Sequence, residues 1–361
     1  MSIKIATGQR VSYPMIFDPI DTLDRVVPEA IGYSPSQIIA ISDSNVVEIY
    51  GKRITGIMAP VCAFSLITIP AGEASKSPET LGYLYDKILG MQIDRKTPII
   101  AFGGGVVGDL AGYAAATTLR GLPLIHVPTT LTAQVDSSIG GKTGINHSLG
   151  KNLIGAFYPP RAILCDTSLL QALPRREWMS GLAEVVKHAC LVGRDHYSWV
   201  STRWNDIVRN QSSDIDRLVE QSAHVKAGIV EEDEKESGMR MWLNLGHTTG
   251  HAIERATGYG QFLHGEAVAC GMAVAIELSR LRSFEVDRSL VYKLLESMNI
   301  NERIRDLDPE VIFSATVTDK KRQGGTVPFV LLEQIGKPFL DSEIGKADFR
   351  LAWTEMLDHI Q

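Results

Sequence analysis

Long apolar runs, blocks of like charge and paired cysteines are all missing from this chain. No stretch of about 18 or more apolar residues occurs, so no membrane-spanning helix is expected. Lys and Arg number 36 against 42 Asp and Glu, and the net charge of -6 is not gathered into long single-sign runs. Nucleic acid is therefore not an expected partner. The four cysteines, Cys62, Cys165, Cys190 and Cys270, show no CxxC spacing. They read as buried thiols of a reducing compartment, and a cytoplasmic protein is expected. The opening residues from Met1 to Ala6 lack the apolar core of a signal peptide. Internal repeats and low-complexity segments are absent too. What remains is ordinary for a soluble globular enzyme: 361 residues, 44% hydrophobic and 22% charged, enough for two domains with full cores.

The first half alternates short β-branched apolar runs with helical patterns. Gln37–Ser42, Leu66–Pro70, Thr97–Phe102, Leu122–Val127 and Ala162–Cys165 read as strands. Pro78–Met91 and Leu110–Thr118 read as helices between them. That alternation favours a mostly parallel sheet with helices on both faces. After Pro174 the texture changes. Glu177–Leu191, Ile215–Glu232, Leu243–Thr257, Glu266–Ser283 and Leu290–Met298 carry apolar residues at helical spacing, and only Val327–Leu332 reads as a strand. The expected architecture is an α/β nucleotide-binding domain over residues 1–172 followed by a mainly α-helical domain over 173–361. A cleft between two such domains is the default place for an active site.

Gly103-Gly-Gly105-Val-Val-Gly108 follows an expected strand and precedes an expected helix. Glycines there let backbone N–H groups approach a pyrophosphate at a helix N-terminus. Glycine-rich turns without a nucleotide are also common, and one further mark is missing. No Asp or Glu lies about 20 residues downstream of the glycines, where a standard Rossmann unit binds the ribose. Asp43, at the end of an earlier strand, is an alternative, which points to a non-standard strand order. A second glycine-punctuated region, Val135–Gly144 with Gly150-Lys151-Asn152, reads as a polar loop. Its lysines, asparagine and hydroxyls suit a phosphate or carboxylate. It lacks the spacing of a P-loop, and a solvated surface loop is the plainer alternative.

The strongest signal is Asn244-Leu-Gly-His247-Thr-Thr-Gly-His251 with Leu263-His264-Gly-Glu266. Three imidazoles fall within eighteen residues, and Glu184 in Gly181-Leu-Ala-Glu184-Val-Val-Lys187 adds a carboxylate. His247 and His251 share a face if they lie on a helix, as do Glu184 and Lys187. Imidazoles plus a carboxylate form the ligand set of a catalytic zinc site with one position open. One imidazole is then left for acid–base work or for anion binding. Lys226, Arg240 and Asn244 add polar groups nearby in sequence, and Lys320-Lys321 is placed in a polar turn.

Taken together, Gly103–Asp109, Pro128–Leu131, Val135–Gly144, Gly150–Asn152, Gly181–Lys187, Gly238–Asn244 and His247–His251 resemble the 3-dehydroquinate synthase family, in order and over nearly the whole chain. The resemblance implies a dehydroquinate synthase-like fold: an NAD-binding α/β domain, then a metal-binding helical domain, in a homodimer. It implies metal ligation by Glu184, His247 and His264, with zinc preferred and cobalt as second choice. It places NAD at Asp43, Asn45, Glu73, Lys76, Gly104, Gly105, Val106, Asp109, Thr129 and Thr130, with Lys142 and Lys151 adjoining. The substrate falls to Asp136, Lys142, Asn152, Lys187, Lys226, Arg240, Asn244, His251 and one of Lys320 and Lys321, with Lys321 preferred. Lys142, Asn152 and His251 are assigned to its phosphate, and Lys226 and Arg240 to its carboxylate. Arg120 matches an arginine lent to the partner subunit. The chain departs from the family pattern at His188-Ala189, where an aromatic and a glycine are more usual, and at Ala172, where threonine is common.

The implied reaction turns 3-deoxy-D-arabino-heptulosonate 7-phosphate into 3-dehydroquinate and phosphate. It proceeds by transient oxidation, elimination, reduction, ring opening and aldol closure, and serves aromatic amino acid biosynthesis. The alternatives are a related sugar phosphate cyclase, such as an amino-dehydroquinate, epi-valiolone or deoxyinosose synthase, and a metal-dependent polyol dehydrogenase. The carboxylate-side cations disfavour cyclases whose substrates lack that group. The lysine-rich phosphate pocket disfavours a dehydrogenase.

Overall fold

The computed structural model describes residues 1–7, 11–210, 213–233, 238–258, 260–320 and 327–360. The chain divides into two compact units: Met1–Leu173 with Lys226–Glu234, and Pro174–Val225 with Lys235–Gln361. Lys226 therefore groups with the first unit, although its helix begins in the second.

The first unit is built on β1 (Ser2–Thr7), β2 (Val11–Phe17), β3 (Gln37–Asp43), β4 (Ala63–Ile69), β5 (Ile99–Gly103), β6 (Leu124–Pro128), β7 (Lys142–His147), β8 (Gly150–Phe157) and β9 (Ala162–Cys165). Its helices are α1 (Leu23–Ile31), α2 (Ser44–Met58), α3 (Pro78–Gly90) and α4 (Gly105–Thr117). Seven strands form one sheet in the order β1-β2-β9-β6-β5-β3-β4. Only the β1–β2 pair is antiparallel; the others run parallel. Alternate residues feed opposite faces, as a period of two requires. Ile39, Ile41, Ile99 and Ala101 pack with α3 and α4, while Ile38, Ala40, Ile100 and Phe102 pack with α1 and α2. β5 and β6 are buried along their whole length, which is why they read as unbroken apolar runs.

The strand order has a consequence for ligands. From β3 the chain steps outward to β4, then returns to lay β5 on the other side of β3. β3, β4, β5, β6 and β9 thus follow the flavodoxin-like order rather than the standard Rossmann one. The carboxyl ends of β3 and β5, bearing Asp43 and Gly103, are neighbours at the point where the direction of winding reverses. Ser42 Oγ ties them by donating to Phe102 O at 2.6 Å.

The glycine-punctuated loop expected from Val135 to Asn152 is largely not a loop. Ala133–Ser137 forms one π-helical turn, closed by Ser138 N to Ala133 O at 3.2 Å. β7 and β8 then form an antiparallel hairpin with a bulge near its turn. Side-chain alternation marks such a hairpin in most sequences. Here Gly144 and Gly155 face each other, and a Cβ on either would lie within 2.5 Å of the opposite strand's carbonyl oxygen. The signal is missing because bare backbone, not large side chains, makes the contact.

The second unit comprises α5 (Arg175–Val192), α6 (Arg194–Thr202), α7 (Trp204–Val208), α8 (Ile215–Glu232), α9 (His247–Ala256), α10 (His264–Leu281), α11 (Ser289–Met298), α12 (Asn301–Arg305), α13 (Pro309–Lys320), the hairpin β10 (Phe329–Gln334) and β11 (Lys337–Asp341), and α14 (Lys346–His359). α10 is buried from Gly265 through Ser279, as suits a helix apolar on all sides. The single helix expected over Leu243–Thr257 is broken. A 3-10 turn, Met239–Asn244, precedes α9, and Gly246 at φ 79 makes the corner. Lys320 ends α13 rather than lying in a turn, because the helical pattern continues to it. Lys321 lies outside the described residues. Of the four thiols Cys62 is only partly covered; the other three are buried.

Candidate active site

In the first unit α4 starts at Gly105, two residues beyond the end of β5 and earlier than the apolar pattern suggests. The first-turn amides of Gly105, Val106 and Val107 have no acceptor inside the helix and carry its positive dipole end. A Cβ at Gly104 would stand 2.9 Å from Thr130 Cγ2, and one at Gly105 would stand 3.0 Å from Ser137 Oγ. The turn therefore takes glycine, and its backbone stays open. Thr129 Oγ1 and Ser137 Oγ are buried with no hydrogen-bond partner among the described residues. Orphaned hydroxyls beside a bare helix N-terminus fit the phosphates of a dinucleotide. Asp43 caps α2, its Oδ1 accepting from Asn45 N at 2.9 Å and Val46 N at 3.1 Å. Asn45 is exposed in that first turn.

Beside the cradle Lys76 is buried, 4% exposed. Its Nζ donates to Asp109 Oδ2 at 2.7 Å and to Asn152 Oδ1, with Glu73 Oε1 at 3.7 Å. Burial pushes the Asp109 carboxyl up from its ordinary range, and the Lys76 ammonium pulls against that. Asn146 completes the network, and nothing in its sequence context marks it. Its Nδ2 donates to Glu73 Oε1 at 2.8 Å, its Oδ1 accepts from Asn152 N at 2.9 Å, and its own N–H donates to Lys76 O. Asn152 sits at φ 56, a left-handed conformation held by these contacts. Lys142 opens β7 and is exposed, four residues or about 13 Å of strand before Asn146. Asn152 thus groups with Lys76 and Asp109. Lys151 is half-buried at the start of β8. On the π turn Asp136 Oδ1 accepts from Lys226 Nζ at 2.6 Å. Arg120, exposed at φ 67 after Leu119 at φ 50, makes no ion pair among the described residues.

In the second unit Glu184 and Lys187 stand one turn apart on α5, fully buried and ion-paired. Glu184 Oε1 faces His247 Nε2 at 3.7 Å and His264 Nε2 at 3.4 Å. The three ligand atoms lie within 4.8 Å of one another. His247 Nδ1 lies 3.2 Å from Leu245 O, so as a donor there it leaves Nε2 with a lone pair facing Glu184. The His251 ring stands 5.4 Å from that of His247 and 5.8 Å from that of His264. Two ligands of a tetrahedral zinc stand about 3.4 Å apart, so this donor set fits a divalent ion. Burial opposes charge on Glu184, yet Lys187 and both imidazoles hold its carboxyl well below the usual range. Burial, with Lys187 beside it, holds His247 well below 6.5. Burial also works against charge on His264, but Glu184 and Glu254 outweigh it and raise that imidazole to about 10.

Close helix contacts set these positions. A Cβ at Gly246 would lie 2.6 Å from Val268 O of α10. At Gly265 it would lie 1.9 Å from Ser180 O of α5, and Gly265 N donates to Ser180 Oγ at 3.0 Å. Glu266 fixes the start of α10: it accepts from Leu263 N at 2.8 Å and from Arg176 through both oxygens at 2.7 and 2.8 Å. Arg240, 1% exposed, and Asn244 lie on the 3-10 turn just before α9. His188 stands where the family pattern more often has an aromatic, and its Nδ1 lies 2.6 Å from Ser222 Oγ. The sequence motifs do not single out Glu254, which the fold places against His264.

Residues 66–180 match the model of the 3-dehydroquinate synthase N-terminal domain, and residues 181–322 match that of the C-terminal domain. A 3-dehydroquinate synthase from Salinibacter ruber is 42% identical over 356 residues, covering 98% of this chain and 96% of that protein. One from Nitrosospira multiformis is 48% identical over 291 residues, 80% of each chain. Among solved structures, a 2-deoxy-scyllo-inosose synthase complexed with carbaglucose-6-phosphate, NAD+ and Co2+ superposes with a TM-score of 0.86 at 28% identity, covering 98% of this chain and 100% of that one. A probable glycerol dehydrogenase from Sinorhizobium meliloti, at 14% identity and a TM-score of 0.64 over 99% of each chain, shares the fold alone. The chain belongs to the 3-dehydroquinate synthase family.

Proposed function

We propose that this chain converts 3-deoxy-D-arabino-heptulosonate 7-phosphate into 3-dehydroquinate and inorganic phosphate, using NAD and a divalent metal ion. The observation that carries the reading is the convergence of Glu184, His247 and His264, with Lys187 against the carboxylate, in a chain that also has the open glycine turn. When bound, NAD supplies a reversible hydride acceptor and the divalent ion a Lewis acid for the substrate's oxygens. The C5 carbinol is oxidised to a ketone, which acidifies the C6–H, and phosphate leaves by elimination. The substrate's phosphate takes that proton. The ketone is reduced again, the ring opens, and the enol attacks the C2 carbonyl to close the carbocycle, with no net oxidation.

The protein's part is binding, orientation and charge. Gly104, Gly105, Val106, Thr129 and Thr130 form the dinucleotide cradle, flanked by Asp43, Asn45, Glu73, Lys76, Asp109 and Lys151. Glu184, His247 and His264 hold the metal, the ammonium of Lys187 keeping the carboxylate ionised. Lys142, Asn152 and His251 hold the substrate phosphate, with Lys142 also reaching the cofactor. Lys226 and Arg240 take the carboxylate, supported by Asp136 and Asn244, and one of Lys320 and Lys321, with Lys321 preferred, binds the substrate. Each anion is held while the ring rearranges around it. Arg120 reaches the phosphate site of a partner subunit in a homodimer. Its exposure, its left-handed backbone and its lack of an ion pair among the described residues support that role. The proposed compartment is the cytoplasm, in keeping with four free thiols. No helix of the described residues is long and apolar enough to cross a membrane.

The test is incubation with NAD, zinc and the heptulosonate phosphate, followed by identification of the products. Carbocyclic 3-dehydroquinate with stoichiometric phosphate and no accumulation of NADH supports the reading. Turnover only of a sugar phosphate that lacks the carboxylate moves the chain to another cyclase. Steady NADH production makes it a dehydrogenase.

A further inference from the structure

We infer that Glu254 is a positioning residue that fixes the ring of His264 as a metal ligand. The inference rests on the reading of Glu184, His247 and His264 as the ligand set. His247, His251 and Glu254 are spaced by four and three residues along α9, so they share one face of that helix. Glu254 is 3% exposed, although Arg255 and Ala256 after it are exposed. A carboxylate is costly to bury unless something answers it. Its Oε2 stands 3.4 Å from His264 Nδ1, and His264 Nε2 stands 3.4 Å from Glu184 Oε1. The ring therefore bridges two buried carboxylates, one at each nitrogen.

With an ion bound, a proton kept on Nδ1 and donated towards Glu254 would leave the Nε2 lone pair for that ion. His247 shows the same division of labour, with Leu245 O at its Nδ1 in place of a carboxylate. A partner at the second nitrogen sets tautomer and ring orientation and raises ligand basicity. His264 is the ligand that needs this more. It is the first residue of α10 and its side chain is 37% exposed, against 12% for His247. A competing arrangement exists, because His251, Glu254 and His264 also offer ligand atoms within 4.8 Å of one another. In that case Glu254 would itself be a ligand.

The experiment uses the full chain, stripped of metal, with Glu254→Ala and Glu254→Gln beside the wild type. Zinc affinity and stoichiometry are read by competition with a chromophoric chelator, and ligand geometry by the visible absorption of bound Co2+. The expected result is one ion per chain throughout. Affinity should fall about 10–100-fold in Glu254→Ala and less in Glu254→Gln, whose amide oxygen still accepts from Nδ1. The Co2+ spectrum should change in Glu254→Ala and largely recover in Glu254→Gln. Unchanged affinity in both variants overturns the inference. So does a wild type that binds two ions where Glu254→Ala binds one, since Glu254 would then be a ligand. A folded wild type with no zinc affinity at all sinks the metal reading itself, and this inference with it.

Discussion

Lys187 and Glu184 form an ion pair in the interior of the second unit, one helical turn apart, with 1% and 0% of their side chains exposed. Burial of such a pair stabilises little, but removing one partner strands the other charge. Lys187→Met should destabilise the metal-free protein by about 3 kcal/mol or more. With zinc present the ion becomes the counter-charge to Glu184, and the loss should shrink. Urea melts with and without saturating zinc make the comparison. An equal loss in both states would mean that Glu184 does not face the metal.

His247→Ala should remove the metal and the activity while leaving the first unit folded. His247 lies in the second unit. Metal analysis and NAD titration of one preparation check both halves. A variant that retains one zinc per chain and turns over normally would show that His247 is not a ligand.

His126 lies on β6, 5% exposed beneath Gly108, and burial lowers its imidazole from 6.5 to about 4. The folded ring thus stays neutral while the unfolded chain takes up a proton. Between pH 6.5 and 4 the unfolded state binds more protons, so stability falls as pH falls through that window and levels off below it. The full effect is about 3 kcal/mol. His126→Leu should flatten the pH dependence of unfolding over that range relative to wild type. Identical slopes would show that the ring titrates normally in the folded protein.

Much of this molecule is legible in its sequence, and the illegible parts share a cause. β5 and β6 read clearly because parallel strands covered on both faces need continuous apolar residues. α5 reads to within two residues and α8 to the residue: α8 buries a helical stripe, whereas α5 is buried on every side from Trp178 to Leu191. The β7–β8 hairpin is hidden because Gly144 and Gly155 replace the side chains that would alternate. The break before α9 is hidden because the helical pattern runs through Gly246, whose positive φ only the fold reveals. At the Glu184–His247–His264 cluster the histidines are visible as a motif. Glu254 is not, because its partner His264 is ten residues away on the next helix. Asn146 is passed over for the same reason: Glu73 lies 73 residues upstream of it. Chemistry carried by one element can be read from spacing, whereas chemistry shared between elements waits for the packing.

Gly265 tests how tightly the ligands depend on helix contact. A methyl group there would meet Ser180 O at 1.9 Å, and backbone cannot turn aside as a side chain can. Gly265→Ala should push the start of α10 off α5, moving His264 away from Glu184. Stability should fall by about 1–3 kcal/mol, the usual range for overpacking, and zinc affinity should fall with it. Gly258→Ala is not an equivalent control, since Gly258 is at φ 78; Gly228→Ala is, for it meets open space in α8. Equal zinc affinity in the two alanine variants would mean that α10 can slide without disturbing the site.

Arg120 decides whether the proposed dimer matters to catalysis. Two consecutive non-glycine residues at positive φ, Leu119 and Arg120, are costly to hold, and no ion pair among the described residues repays that conformation. If the guanidinium serves the other subunit, Arg120→Ala should inactivate a homodimer through its partner's site. Mixing it with His247→Ala chains then rebuilds one good site in each heterodimer: the Arg120→Ala chain keeps its own His247 and receives Arg120 from its neighbour. Random reassortment at equal amounts should restore about a quarter of wild-type activity. An arginine that serves its own chain gives no such recovery, because every site in the mixture then lacks either Arg120 or His247.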